Sequence, residues 1–163
     1  VDKGWQHFEE IQRIPFIVRP QDRMYDACRD VVRDEWISLL DVYPSVLDLA
    51  GDSTGADAGP GMSVVPLLSK SGIPWRDAVF VEFGGVNAAS TSMVTARKGN
   101  IKYGWNCSSW DELYDLDCDP WEMHNVIRNP SYADQLRVMR SLVADWMRET
   151  QYPGLWVFLS GHT

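Results

Sequence analysis

One segment near the end of the chain constrains the fold most, because its apolar residues follow the spacing of a single helix face. Asn129-Pro130 gives a helix start at which proline loses no hydrogen-bond donor. Pro153-Gly154 gives a stop. The apolar stripe between them consists of Leu136, Met139, Leu142, Val143, Trp146 and Met147. We therefore predict a helix from Asn129 to Thr150 that needs an apolar surface to pack against.

Strand patterns upstream of this helix supply such a surface. Ala78–Phe83 is rich in strand-forming residues. Met93–Ala96 and Ile101–Trp105 flank Lys98-Gly99-Asn100, which is a hairpin signal. A short strand is expected around Leu113-Tyr114. Because strands and helices interleave, the pattern favours an α/β or α+β fold over an all-helical one.

The first third of the chain gives weaker signals. Asp2–Gln12 is compatible with a short helix, and the continuous apolar run Ile14–Val18 predicts a strand covered on both faces. Asp41 is expected to cap a helix with Pro44 in its first turn, and Gly51–Gly61 reads as a connecting loop. The residues expected on the inner face of that helix are Tyr43, Val46, Leu47 and Ala50.

The last apolar run of the chain, Leu155–Leu159, needs cover of some kind. Two alternatives stay open. The run could pair as an edge strand, or it could contact another chain.

Composition and charge exclude several classes of protein. The 163 residues carry 15 Lys and Arg against 23 Asp and Glu, a net charge of -8. We therefore expect no nucleic-acid partner, since duplex binding uses clustered cations. No apolar run approaches the roughly 20 residues of a membrane span. The three cysteines, Cys28, Cys107 and Cys118, fit no disulfide framework or zinc spacing and are expected to be thiols without a role, with one pair left open.

The residues that could carry chemistry form no complete motif. His7, His124 and His162 lie far apart in sequence, and His7 is expected at the surface rather than on a metal. The carboxylates between Asp115 and Glu122 resemble a calcium loop but lack its glycine and final glutamate, so a solvated turn is favoured over a cation site. The residues alone thus predict an α/β domain without a self-sufficient active site.

Several phrases in order resemble type I sulfatases of the alkaline phosphatase superfamily. The first is Lys3-Gly4-Trp5-Gln6-His7-Phe8-Glu9-Glu10, followed by Arg13-Ile14-Pro15-Phe16-Ile17-Val18-Arg19. The later phrases are Ser38 to Gly51, Gly61-Met62-Ser63 to Leu68, Trp75 to Phe80, and Glu112 to Asn125 with its Asp119-Pro120-Trp121-Glu122. The order and spacing agree from about residue 3 to residue 150.

The resemblance implies a C-terminal portion of such an enzyme. Residues 1–85 would be the last part of its α/β core, a partial alkaline-phosphatase-like sheet with helices. Residues 86–150 would form a small C-terminal subdomain with an antiparallel hairpin packed on a helix, and residues 151–163 match nothing in the family. Asp41 and Asn125 are interpreted as a helix cap and a turn residue rather than as site residues.

One family site residue carries over by resemblance. Lys3 corresponds to the lysine that contacts the sulfate group, for which an ammonium group is chemically suited. The family's nucleophile is a formylglycine made in a C/S-x-P-x-R motif, and its calcium or magnesium sits on carboxylates. This chain has neither the motif nor those ligands, so we assign it no catalytic residue, metal ligand or cofactor.

Three functions remain from this reading. The first is a C-terminal fragment of a sulfate ester hydrolase, inactive alone, whose partner is a missing N-terminal half; a phosphate or phosphonate ester hydrolase is a variant of it. The second is a non-catalytic module, derived from a sulfatase, that associates with itself. The third is an independent metal-binding protein that uses the Asp115–Glu122 segment. The sequence leaves the cellular compartment open.

Overall fold

The computed structural model describes residues 7–19, 31–52, 59–69, 72–84 and 92–162. The chain divides into two compact units: one runs up to Ile14 and resumes at Ala78, and the other spans Pro15–Asp77. The elements in chain order are helix α1 (Glu9–Gln12), a 3-10 turn (Leu39–Asp41), helices α2 (Val42–Leu49) and α3 (Val65–Ser69), strands β1 (Ala78–Phe83), β2 (Met93–Lys98), β3 (Ile101–Asn106) and β4 (Glu112–Asp115), a 3-10 turn (Pro130–Tyr132), and helices α4 (Ala133–Glu149) and α5 (Leu155–Gly161).

The first unit is built on a four-stranded antiparallel sheet in the order β1-β2-β3-β4. The hairpin prediction is confirmed, since Lys98 pairs with Ile101 across a turn in which Gly99 adopts a φ of +57°. Leu113 lies opposite Tyr103 in β4. The family resemblance placed β1 in the α/β core of residues 1–85 and the hairpin in a separate subdomain of residues 86–150. In the structure, β1 pairs with β2 along its whole length and so belongs to the same sheet as the hairpin.

Helix α4 packs across β2 and β3 with the predicted stripe inward. Met139, Val143 and Met147 are buried against the sheet. The start of the helix is also confirmed, because the Asn129 side chain accepts a hydrogen bond from the Ser131 N–H and Pro130 occupies the first turn. No helix in the described part of the chain is long and apolar enough to cross a membrane.

Of the two alternatives left open for the last apolar run, the edge strand is wrong. Leu155–Gly161 forms α5. Phe158 is 2% exposed, and its ring meets that of Trp105 edge-on with centroids 5.8 Å apart. A five-residue apolar run suits a strand or a buried helix turn equally well, and here an aromatic pocket on the sheet selects the helix.

In the second unit, Asp41 does not cap α2 as predicted. Its carboxylate accepts the Ser38 N–H at 2.7 Å in a capping box, and it also accepts the Met62 N–H at 2.8 Å. Arg76 donates to both of its oxygens, at 2.6 and 2.9 Å. The fully buried Asp41 carboxylate thus links three segments of this unit through hydrogen bonds, and the Arg76 guanidinium balances its charge.

The inner face expected for α2 is also wrong. Tyr43, Val46 and Ala50 are exposed, while Ser45 is the buried residue of this helix. Serine is buried there because its hydroxyl donates to the Asp41 carbonyl and accepts the Val64 N–H. The strand expected at Ile14–Val18 is not formed: the segment has no partner strand among the described residues, and Ile17 is 89% exposed.

Candidate functional site

The sheet has a polar second face opposite α4. Side chains alternate along a strand, so the residues between the core-facing ones point to this side. The polar residues of this face are Thr95, Arg97, Lys102, Glu112 and Tyr114, and Val79 and Val81 of β1 lie beside them. Lys102 is 2% exposed and Thr95 is 3% exposed, so something covers them.

The cover includes the described end of the first phrase quoted above, residues 7–10. The Glu9 side chain pairs with Arg97, and its other oxygen lies 3.2 Å from Lys102 Nζ. The Glu9 backbone N–H donates to Glu122 Oε2 at 2.6 Å. Lys102 Nζ in turn lies 2.7 Å from Glu122 Oε1. These four residues, Glu9, Arg97, Lys102 and Glu122, form what we call the anchor cluster.

Glu122 is the most constrained member of the anchor cluster. It is buried, and its backbone adopts a φ of +54°, which is uncommon for a residue other than glycine. The turn that holds it is closed by hydrogen bonds from the Glu122 and His124 N–H groups to Asp119. The expectation of a solvated turn is therefore wrong at Glu122, because the strained turn directs its carboxylate to Lys102 and to the Glu9 amide.

His7 also belongs to this face rather than to the surface expected for it. Its Nδ1 lies 2.6 Å from Thr95 Oγ1. Burial, together with the positive charge of Lys102, lowers the pKa of His7 to about 4. His7 is therefore a neutral hydrogen-bonding contact between the N-terminal segment and β2 near neutral pH.

Burial and neighbouring carboxylates shift the pKa values of titratable groups on the polar face. Burial raises the pKa of Glu112, with the nearby Glu122 charge adding to the effect. Burial also raises the pKa of Tyr114, and the Glu112 carboxylate adds to it. The positive charge of Lys102 offsets part of this negative charge, because it lies near Glu9, Glu112 and Glu122, which come from three segments of the chain.

The Asp115–Glu122 segment does not fit a divalent cation, because the carboxylates of Asp115, Asp119 and Glu122 are already bound to protein donors. Asp115 accepts hydrogen bonds from Asn100, Tyr132 and the Asp117 N–H. Within the described residues, no group of three or more His, Cys, Asp or Glu side chains could hold a metal ion.

The remaining candidates fall in different places. Lys3 and Cys28 lie outside the described residues. Cys107 Sγ accepts the Ser92 N–H at 3.0 Å, and Cys118 is exposed. Asn125 is a turn residue as interpreted: its side chain accepts the Leu113 and Ile127 N–H groups and donates to the Asp111 carbonyl.

Reasoning from sequence missed Lys102 and Arg97, and it assigned Glu122 to a solvated turn, although these three residues hold the N-terminal segment on this face. A signal was available for Lys102, since a lysine between the apolar Ile101 and Tyr103 of a strand must point to the opposite face. No local pattern marks Glu122, whose burial depends on a partner far away in sequence.

Comparison with known proteins identifies the family to which this chain is similar. The family of N-sulphoglucosamine sulphohydrolase C-terminal domains matches residues 1–149. An arylsulfatase of Clostridium perfringens is 27% identical over 137 residues, which is 83% of this chain and 28% of the relative. An uncharacterised sulfatase of Escherichia coli is 30% identical over 160 residues, 94% of this chain and 30% of the relative.

The fold agrees with these matches. The structure of a 2-O glycosaminoglycan sulfatase superposes with a TM-score of 0.60 at 26% identity, covering 69% of this chain and 25% of that protein. This chain spans less than a third of the length of the two sequence relatives. The chain therefore belongs to the N-sulphoglucosamine sulphohydrolase C-terminal family and corresponds to the C-terminal portion of a sulfatase of the alkaline phosphatase superfamily.

Proposed function

We propose that this chain is the part of a sulfate ester hydrolase that fixes the sulfate-contacting segment, and that it is inactive without the part of the enzyme that carries the nucleophile. Formylglycine and a calcium or magnesium ion would be supplied by that other part. Lys3 is the residue of this chain that would contact the sulfate group, by resemblance to the family.

The anchor cluster is the observation that carries this proposal. Glu9 follows Lys3 by only six positions, and its backbone and side chain both bind the polar face of the sheet. A lysine that binds an anion needs a fixed backbone nearby, since the ordering cost is then met before the ligand binds. Buried, charge-matched contacts to Lys102 and Glu122 supply such an attachment point.

Exposed apolar side chains in the second unit support the proposal that a further part of the enzyme packs on this chain. In this unit, helix α2 and the preceding 3-10 turn expose a set of large apolar side chains: Leu39, Leu40, Val42, Val46 and Leu49. Val42, Val46 and Leu49 lie at positions i, i+4 and i+7, which share one face of a helix, and an exposed apolar face is typical of an interaction site. The relatives are more than three times as long as their match to this chain, so a larger sulfatase portion is the occupant that fits.

The test is expression of this chain together with its own upstream coding sequence. We expect a C/S-x-P-x-R motif there and metal-dependent hydrolysis of an aryl sulfate by the longer protein. Lys3→Ala should lower kcat/KM by about 10²-fold or more, as expected for losing one charged contact to a transition-state anion. The matched control is Arg137→Ala, which removes an exposed cation on α4 and should leave the rate unchanged. Equal rates for Lys3→Ala and the parent would overturn the role of Lys3.

The ester is decided by the same assay. Aryl sulfate, aryl phosphate and aryl phosphonate are offered to the longer protein at equal concentration. We expect the highest kcat/KM for the sulfate. A preference for the phosphate or phosphonate would assign the chain to a related ester hydrolase instead.

The exposed apolar set also favours one alternative, a non-catalytic module that associates with itself. Sedimentation velocity of the 163-residue chain separates the two readings. A stable dimer that dissociates when Val46 is replaced by aspartate would support self-association through α2. A monomer whose gene encodes no upstream sulfatase sequence would contradict both the sulfatase proposal and the self-association alternative.

A further inference from the structure

An exposed tryptophan just before β4 carries an arginine on its ring. Trp110 is 77% exposed, although tryptophan is highly buried on average. The guanidinium carbon of Arg128 lies 5.1 Å from the centroid of this ring, within the range in which a cation is attracted to the ring face. The guanidinium covers only part of the ring, so a broad aromatic surface remains open to a ligand.

The Arg128 guanidinium keeps hydrogen-bond donors for a further partner. Within the described part of the chain, no carboxylate pairs with it. The next two arginines along the chain are paired, Arg137 with Asp134 at 2.8 Å and Arg140 with Asp111 at 3.6 Å. A guanidinium presents several N–H groups in one plane, an arrangement that suits the oxygens of an oxyanion. Arg128 thus offers an anion a local partner on a chain whose net charge is -8.

The carboxylate beside Trp110 does not compete for Arg128. Asp111 follows Trp110 directly, but its Oδ2 accepts the Tyr103 hydroxyl at 2.6 Å and lies 2.5 Å from His162 Nε2. The Asp111 side chain is only 11% exposed, and Tyr103 belongs to the buried core. This carboxylate is therefore engaged inside the protein and leaves the Arg128 donors to solvent.

One side chain fixes the backbone beside both members of the pair. Asn125 Nδ2 donates to the Asp111 carbonyl at 3.1 Å, next to Trp110. Asn125 Oδ1 accepts the Ile127 N–H at 3.0 Å, next to Arg128. Because the backbone on both sides is already ordered, a ligand that bridges the two side chains has less conformational entropy to overcome when it binds.

We propose that Trp110 and Arg128 form a binding site for a ligand that combines a six-membered ring with an oxyanion such as sulfate. The oxyanion accepts hydrogen bonds from the guanidinium, and the attached ring packs on the uncovered surface of the indole. An anion alone would leave that surface exposed to water, and a neutral ring alone would leave the guanidinium without a counter-charge. A sugar ring and an aromatic ring share this chemistry, and the experiment distinguishes them.

The experiment is a titration of the 163-residue chain labelled with fluorotryptophan, followed by fluorine NMR at constant ionic strength. The Trp110 signal is assigned from its loss in Trp110→Phe. Glucose 6-sulfate and phenyl sulfate supply a sugar and an aromatic ring with the anion, while inorganic sulfate and glucose supply each half alone. We expect the Trp110 signal to move saturably with a ring sulfate, with an affinity at least about fivefold higher than for either half.

The ring sulfate that binds more tightly identifies the natural ring as a sugar or an aromatic group. Two results would overturn the proposal. One is a Trp110 signal that moves with neither ring sulfate. The other is an equal affinity for inorganic sulfate, which would mean that the ring of the ligand contributes nothing and that the contact is an adventitious ion only.

Controls within the same chain make the test specific. Arg128→Gln should weaken binding of the ring sulfate by about fivefold or more, because it removes the charge that holds the oxyanion. The matched control is Arg137→Gln, which removes an exposed arginine that pairs with Asp134 and should leave the affinity within about twofold. Trp121 is 69% exposed, and its signal should not move with the ligand. Equal weakening in the two arginine variants would contradict the proposal.

The longer protein, expressed with its own upstream coding sequence, shows whether this surface stays open beside the rest of the enzyme. We expect the Trp110 signal to respond to the same ring sulfate there as well. Loss of the response would overturn the proposal, because the added portion would then cover Trp110. Since binding rather than hydrolysis is measured, this result does not depend on Lys3 or on whether the longer protein is active.

Discussion

Replacing Lys102 by methionine removes the charge at the centre of the anchor cluster. The Lys102 side chain is 3% exposed and that of Glu122 is 1% exposed, so the change leaves a buried carboxylate without its ion partner. Breaking a buried pair by removing one member costs about 3–5 kcal/mol. Glu122 keeps the Glu9 N–H, and Glu9 keeps Arg97, so we expect the low end, about 3 kcal/mol.

The assay is hydrogen exchange over β2 and β3, because the chain has two compact units and a whole-chain transition could mix them. The double variant Lys102→Met with Glu122→Gln removes both charges and should recover about 1 kcal/mol or more relative to the sum of the single losses. The control is Arg137→Met, whose pair with Asp134 is largely exposed and should cost under about 0.5 kcal/mol.

Two outcomes would refute this reasoning. The first is a loss in Lys102→Met no larger than in the exposed control. The second is a double variant whose loss equals the sum of the single losses, since Lys102 and Glu122 would then not be coupled.

Three further predictions concern other parts of the chain. His7 takes up a proton near pH 6.5 in the unfolded chain but only near pH 4 in the folded chain, so the free energy of unfolding decreases as pH falls from about 6.5 to about 4. The full pKa difference corresponds to about 3 kcal/mol, and the partial exposure of His7 reduces the expected loss to about 1–2 kcal/mol. Chemical denaturation of the parent and of His7→Asn at a series of pH values measures this loss. Gly61→Ala should destabilise the second unit by about 1–3 kcal/mol in hydrogen exchange of α2, because a Cβ there would lie 2.1 Å from the Leu40 carbonyl oxygen. Phe158→Ala should cost about 3–5 kcal/mol in exchange of α5 and α4, because it empties the pocket beside Trp105.

Controls and opposing results are available for each. His124→Gln should keep the pH dependence that His7→Asn removes, and identical curves for the parent and His7→Asn would contradict the first prediction. Gly84→Ala places a Cβ in open space and should be nearly neutral. Trp156→Ala truncates an exposed neighbour on α5, so an equal loss in this variant and in Phe158→Ala would show that the pocket contributes nothing specific.

The sheet and α4 could be predicted because their signals are local. The turn at Gly99 and the stripe ending at Met147 each specify an element through neighbouring residues alone. Leu155–Leu159 and Ile14–Val18 are short apolar runs without such a period, so the sequence alone does not decide their structure. The pocket beside Trp105 holds the first run as a helix, and the second has no partner strand among the described residues, so the strand expected in each is wrong. Asp41 shows the same limit, since its partner Arg76 lies 35 residues away.

The candidate site was less predictable than the fold. The family resemblance pointed to Lys3 and to the phrase that contains Glu9, but nothing near Glu9 in sequence indicates that it binds Lys102, 93 positions away. His7 was expected at the surface for the same reason, because its partner Thr95 is 88 positions away. Pairings of this kind follow from which strand faces which segment, and the residue pattern of either segment alone does not contain that information.

The measurement that tests the central claim most directly is hydrolysis of an aryl sulfate by the purified 163-residue chain, with calcium or magnesium and again with a chelator. If the chain is the portion of a sulfatase that fixes the sulfate-contacting segment, it releases no product above the buffer rate under either condition. Metal-dependent turnover by this chain alone would contradict the account, because the chain would then contain a complete site that uses neither a C/S-x-P-x-R motif nor the family's metal ligands.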